Sequence, residues 1–110
     1  RVAFSKTQFL NEGRMHERVP EAYEISYNTL VPKSDECTNL LVPVCLSASH
    51  VGFCSIRVEP TWMGLGEAAG TAAAMASLSR IPVQKIDVHS LQQKLTKQNA
   101  VVFRKDLQPQ

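Results

Sequence analysis

The chain has little of what marks several protein classes. Its three cysteines, Cys37, Cys45 and Cys54, stand eight and nine residues apart. An odd number at that spacing gives neither a disulfide framework nor a zinc site. One sign of charge does not dominate either, because twelve Lys and Arg face ten Asp and Glu for a formal net charge of +2. The basic residues are scattered and form no stripe, so nucleic acid is not an expected partner. A long apolar run is missing too. The least polar stretch, Thr61 to Leu78, carries Glu67, and nine of the seventeen residues from Thr61 to Ser77 are Gly or Ala. Gly and Ala gain little from lipid and a charge near the middle of a span is costly, so no membrane span is expected. The chain opens on Arg1 with no charged-then-apolar leader, which assigns no compartment. A first residue other than Met suggests that a segment precedes it. There is no internal repeat and no low-complexity tract.

What is present reads as one globular domain at most: 110 residues, 44% hydrophobic and 20% charged. Residues 1–22 are polar and mixed, with a turn at Asn11-Glu12-Gly13 and a break at Pro20. From Tyr23 to Val31, Tyr23, Ile25 and Tyr27 alternate with Glu24, Ser26 and Asn28, the pattern of a half-buried strand stopped by Pro32. Asn39 to Cys45 is a continuous apolar run, read as a strand buried on both faces that ends or lies at an edge near Pro43. Leu46 to Glu59 has loop chemistry, and a connection of that length is more often functional than decorative. A helix follows, opened near Pro60 and closed before Pro82. Asp87 caps a second, amphipathic helix with Val88, Leu91 and Leu95 on one face. Ala100 to Phe103 is a last extended piece.

Within the first helix Gly66, Ala69, Gly70, Ala73 and Ser77 share one face. Each Gly in a helix costs roughly 1 kcal/mol against Ala, so keeping two of them a turn apart implies close approach of another backbone. A strand, a loop rich in Ser and Gly, and a helix start pointing back at the strand form a corner that receives anions or electron-rich groups. Pyrophosphate and the N1–C2=O edge of a reduced flavin both suit it.

The motifs Ser47-Ala48-Ser49-His50-Val51, Ser55-Ile56-Arg57-Val58-Glu59-Pro60 and Met63-Gly64-Leu65-Gly66-Glu67-Ala68-Ala69-Gly70-Thr71-Ala72-Ala73 carry a specific likeness. The stretch Asn39 to Ala76 closely resembles the C-terminal end of bacterial FAD-dependent oxidoreductases. The branch is the one related to heterodisulfide-reductase A-type flavoproteins, some members of which are labelled xanthan lyase. The likeness extends over roughly Tyr23 to Phe103. It implies an α/β fold: the C-terminal part of a two-dinucleotide-binding, Rossmann-like FAD domain, with strands, one Gly/Ala-rich helix and a short trailing helix. Residues 1–22 would then end an upstream, substrate-side region, 23–103 would belong to the FAD-binding domain, and 104–110 would be a tail.

By the same resemblance, Cys45 and Leu46 lie beside the ribityl–pyrophosphate and Ser47, Ser49 and His50 line the loop. Ser55, Ile56 and Arg57 face the isoalloxazine, and Thr61, Trp62, Met63 and Gly64 supply the helix-start amides. Gly66, Ala69, Gly70 and Ala73 pack on the Gly-rich turn of the first nucleotide-binding unit. Hydride would pass from a small-molecule substrate to flavin N5, with Arg57 supporting the reduced ring. Two departures stand out. Relatives often end the strand with Gly-Arg or Gly-Asp, where this chain has Val44-Cys45. The Gly-x-Gly-x-x-Gly fingerprint that holds the AMP half of FAD is also absent. The expected partner is therefore an upstream portion of the same protein, and the isolated chain is expected to be inactive.

Each candidate has a plainer reading. Arg57 either stands by the flavin or pairs with Glu59 or Glu67. His50 is either a proton donor to substrate or a hydrogen-bonded loop histidine. Cys54 is either a redox thiol, which needs a second thiol in reach, or a small hydrophobe. Iron–sulfur ligation occurs in the heterodisulfide-reductase relatives, but this stretch lacks the clustered cysteines it needs, and no metal ligands are assigned. The competing function is a non-catalytic small α/β module that docks a protein through its Gly/Ala face.

Overall fold

A computed structural model describes residues 2–4, 9–11 and 18–103. Two strands, β1 (Val2–Phe4) and β2 (Phe9–Asn11), pair antiparallel in the register Val2–Asn11, Ala3–Leu10 and Phe4–Phe9. Three helices follow: α1 (His50–Ile56), α2 (Glu59–Ser79) and α3 (Val88–Lys97). Single 3-10 turns stand at Tyr27–Thr29 and Val83–Lys85. The Asn11-Glu12-Gly13 turn and the 104–110 tail lie, wholly or in part, outside the described residues.

α2 begins and ends where its sequence dictates. Pro60 is its second residue, where a missing N–H costs nothing, and the Glu59 carboxylate complements the positive end of the helix. At the other end Arg80 turns left-handed, with φ 54° and ψ 44°. The Arg80 N–H then donates to the Ser77 carbonyl at 3.2 Å and the Ile81 N–H to that of Ala76 at 3.1 Å, and Pro82 prevents any continuation. α3 starts on Asp87, whose carboxylate accepts from the His89 N–H at 3.2 Å and the Ser90 N–H at 3.1 Å. Lys94 and Lys97 in its last turn suit the negative end.

The inner face of α2 carries Leu65, Ala69, Ala72 and Ala76, all buried. Two hydrophobic clusters form on it. In one, Ala72 and Ala76 meet Val83, Ile86, Leu91 and Leu95. In the other, Leu65 meets Leu30, Leu46 and Ile56, with Trp62 packed alongside. Tyr27 and Leu41 touch both. The Tyr27 hydroxyl also donates to the Val83 carbonyl at 2.8 Å, and burial raises its pKa.

The segment before α1 is irregular and is tied down by single bonds. The Val42 N–H donates to the Leu30 carbonyl at 2.9 Å, the Ser47 N–H to that of Thr29 at 2.8 Å and the Val83 N–H to that of Thr38 at 3.0 Å. The Gln84 amide reaches the carbonyls of Pro32 at 3.0 Å and Cys37 at 2.7 Å.

This overturns the α/β, Rossmann-like reading. Neither Tyr23–Val31 nor Asn39–Cys45 is a strand, Ala100–Phe103 is not one either, and residues 18–103 are helical with irregular connections. The strands that do occur among the described residues, β1 and β2, are three residues each and fall where none was expected. The physical reason is local competition. Ser26 accepts from the Asn28 N–H at 3.3 Å and the Thr29 hydroxyl bonds the Ser26 carbonyl at 2.8 Å, which coils the backbone into a 3-10 turn. With no neighbouring strand on which to build a ladder, the apolar run at 39–45 has nothing to oppose that choice.

The small-residue face is also divided. Ala69 points inward and is buried, while Gly70, Ala73 and Ser77 are exposed and Gly66 is half-buried. A Cβ added at Gly66 or Gly70 would meet nothing within 4 Å.

Two outcomes follow from these elements. Gly70→Ala in the chain alone should raise its unfolding free energy by about 0.5–1 kcal/mol in a denaturant titration, since the helix gains propensity and nothing is crowded. The Asp87 carboxyl is held below its usual pKa by the Ser90 hydroxyl first, then by the backbone N–H groups of Ser90 and His89 and the charge on His89. Its folded-state pKa is depressed, so the stability it contributes is present above the ordinary value and is lost as pH falls through the lower one. Circular dichroism should show α3 losing helicity in acid below pH 3.8, and Asp87→Asn should remove that acid-dependent step.

Candidate functional site

The stretch 46–59, expected as a loop, is a helix–corner–helix. Ser49 caps α1: its hydroxyl accepts from the Gly52 N–H and its carbonyl from the Phe53 N–H, at 3.1 and 2.8 Å. A Cβ at Gly52 would come within 3.1 Å of the Ser49 hydroxyl, so the glycine keeps room for the cap. α1 ends on Ile56, buried in the smaller cluster. Arg57 then turns the chain, its N–H donating to the Phe53 carbonyl at 3.0 Å, and Val58 leads directly into α2.

The expected site residues separate into three groups. Leu46 and Ile56 are core, 6% and 7% exposed. Cys45, Ser47, Ser49, His50, Arg57, Met63 and Gly64 are exposed, on the rim of the corner and the outer side of α2. Ser55, Thr61 and Trp62 are half-buried between these layers. Among the described residues no ion pair joins Arg57 to Glu59 or Glu67, and the His50 ring has no hydrogen-bond partner. All three cysteines are free; Cys45 and Cys54 are exposed, and the Cys37 thiol lies 3.2 Å from the Asn39 side-chain oxygen. Among the described residues no cluster of three His, Cys, Asp or Glu could hold a metal ion, and no helix is long and apolar enough to cross a membrane.

At the start of α2 the backbone is open. Val58 offers no side-chain cap, Pro60 has no N–H, and the first intrahelical bond there runs from the Trp62 N–H to the Val58 carbonyl at 3.1 Å. The amides of Glu59 and Thr61 precede that bond and point out of the helix at its positive end. The Trp62 indole N–H is buried with no partner.

Two depressions flank Thr61. A groove of about 800 Å³ runs between the Tyr27 turn, α2 and α3, with Thr61, Gly64, Leu65, Leu91 and Leu95 along it. A hollow of about 520 Å³ lies on the other side, lined by Val19, Pro20, Tyr23, Ile25, Ser55 and Thr61 among others. There the Tyr23 and Ser55 hydroxyls bond each other across 32 residues of sequence. Tyr23 was not an expected site residue. Its alternation with Ile25 and Tyr27 placed it on the buried face of a strand, whereas it is exposed, and nothing in the sequence links it to Ser55.

A family model described as FAD dependent oxidoreductase matches residues 5–95 of the chain. No curated protein and no solved structure matches it. Because Ser49 alone caps the short helix that carries Ser55 and Ile56, Ser49→Ala should cost about 1 kcal/mol in chemical denaturation, and Ser49→Asp should restore most of it.

Proposed function

The chain belongs to the FAD-dependent oxidoreductase family, and from that premise we propose that it forms a flavin-facing wall in the active site of a longer enzyme. The chemistry FAD supplies when bound is acceptance of a hydride from the substrate. The observation that carries this reading is the open start of α2, with Arg57 beside it free of any ion pair among the described residues. Two free amides and a guanidinium at the positive end of a 21-residue helix suit an electron-rich acceptor.

The Glu59 carboxylate decides which acceptor. An exposed negative charge in the first turn repels a doubly charged phosphate but tolerates a neutral carbonyl edge, so the corner fits the pyrimidine side of the ring better than pyrophosphate. Arg57 supplies positive charge there, and the Thr61 and Glu59 amides donate. Cys45, Ser47, Ser49, Ser55 and Trp62 to Gly64 frame the same corner, with Leu46 and Ile56 holding it from behind. His50, exposed and without a ring partner among the described residues, is the proton donor toward substrate. What does not fit is the adenosine half, because the Gly-x-Gly-x-x-Gly turn is absent from the chain. The outer side of α2 then lies against the part of the enzyme that carries that turn. The alternative, a free-standing α/β docking module, loses its premise together with the sheet.

Titrating the 110-residue chain with FAD should give no saturable change in flavin fluorescence below about 100 μM. In the longer enzyme, Arg57→Gln should leave flavin content unchanged and lower the flavin midpoint potential by about 30 mV, the equivalent of 1.4 kcal/mol for a two-electron couple. Stoichiometric yellow flavin on the chain alone, or an unchanged potential in the variant, refutes the assignment.

A further inference from the structure

The hollow beside Thr61 has a chemistry of its own. Three hydroxyls, from Tyr23, Ser55 and Thr61, line it together with the apolar surfaces of Val19, Pro20 and Ile25. The Tyr23–Ser55 bond uses one of that pair's two hydroxyl protons, so one proton and several lone pairs are left to offer a ligand. Thr61 is in a different state from two other threonines. The Thr29 and Thr96 hydroxyls donate to the carbonyls of Ser26 and Gln92, at 2.8 and 2.9 Å. The Thr61 hydroxyl has no partner among the described residues. Among the described residues no Lys or Arg lines the hollow. Among those residues nothing cationic is offered to an anion. The Tyr23 ring, 48% exposed, adds a flat apolar surface at the rim.

We propose that this hollow, built by the Tyr23–Ser55 hydroxyl pair and the unpartnered Thr61, is a subsite for an uncharged, polyhydroxylated small molecule. It rests on the flavin-wall reading only for its meaning as a substrate subsite. Thr61 belongs to both the hollow and the open helix start, so a ligand seated there lies directly beside the wall assigned to the flavin. Hydroxyls of the ligand exchange water for Ser55, Thr61 and Tyr23 as both donors and acceptors, while its C–H face covers the tyrosine ring. A volume of about 520 Å³ admits a molecule of six to a dozen heavy atoms with its bridging water.

The test is an amide chemical-shift titration of the 110-residue chain with myo-inositol, and separately with inorganic phosphate, in the absence of flavin. Inositol should shift the Ser55 and Thr61 amides saturably in the millimolar range, and phosphate should not. Tyr23→Phe and Thr61→Val should each weaken binding at least threefold, with the Leu91 and Leu95 amides unmoved as a check that the α2–α3 packing is retained. Inositol shifts that are absent, non-saturating or equal in both variants overturn the proposal, as does phosphate binding at the same amides. Since no flavin is present, this outcome is independent of the Arg57 potential, and either reading can fail without the other.

Discussion

Everything packed among residues 18–103 leans on one face of α2. Ala72 and Ala76 are small enough to let α3 and the Val83–Lys85 turn come close, and Ala72 is fully excluded from water. One turn toward the N-terminus the same face presents Leu65, and there the smaller cluster forms. The helix is thus a common floor for two hydrophobic groups that would otherwise be too small to persist. Its side chains contribute little area of their own, so the stabilisation comes from what the leucines, Ile86 and Val83 lose to water when laid on it. Site geometry depends on the same floor, because the corner at Arg57 and the start of α2 are fixed by Ile56 and Leu65 packing together.

The opposite face has no such role within this chain. Met63 is 75% and Leu78 83% exposed, with Gly66 and Gly70 between them opening on empty space. Helix glycines that neither turn the backbone nor admit a neighbour are a net cost. They describe a helix face shaped for contacts that the described residues do not make. The flavin-wall assignment gives those contacts a source in the remainder of an enzyme.

The helices were legible and the sheet was not, for different physical reasons. Pro60, Pro82 and Asp87 act locally: each sets a helix boundary through its own backbone chemistry, whatever lies elsewhere. A strand exists only when another strand faces it. The alternation at 23–28 was only partly a pattern of exposure: Ile25 and Tyr27 are half-buried and Glu24, Ser26 and Asn28 exposed, but Tyr23, expected on the buried side, is exposed. It produced no ladder because nothing pairs with it. α1 was hidden by Gly52 and Ser55, poor helix formers, although Ser49 carried the cap signature that would have revealed it. Of the expected site residues, Arg57 and His50 are exposed while Leu46 and Ile56 went into the core. The Tyr23–Ser55 pair joins segments 32 residues apart, and no local rule encodes such a meeting.

The way the two clusters are joined also bears on how the chain breathes. Apart from the continuous backbone of α2, only the half-buried Tyr27 and Leu41 touch both among the described residues. Even with the Tyr27–Val83 hydrogen bond, that link favours opening in separate cooperative units. The smaller unit, made of α1, the Leu30 turn and the first turns of α2, opens without dismantling the α2–α3 pair. Backbone protons in α1 therefore exchange with solvent through a low-energy opening, and those around Ala72 and Ala76 only through a larger one. The corner assigned to chemistry is thereby placed in the part of the molecule that can rearrange while the rest stays folded.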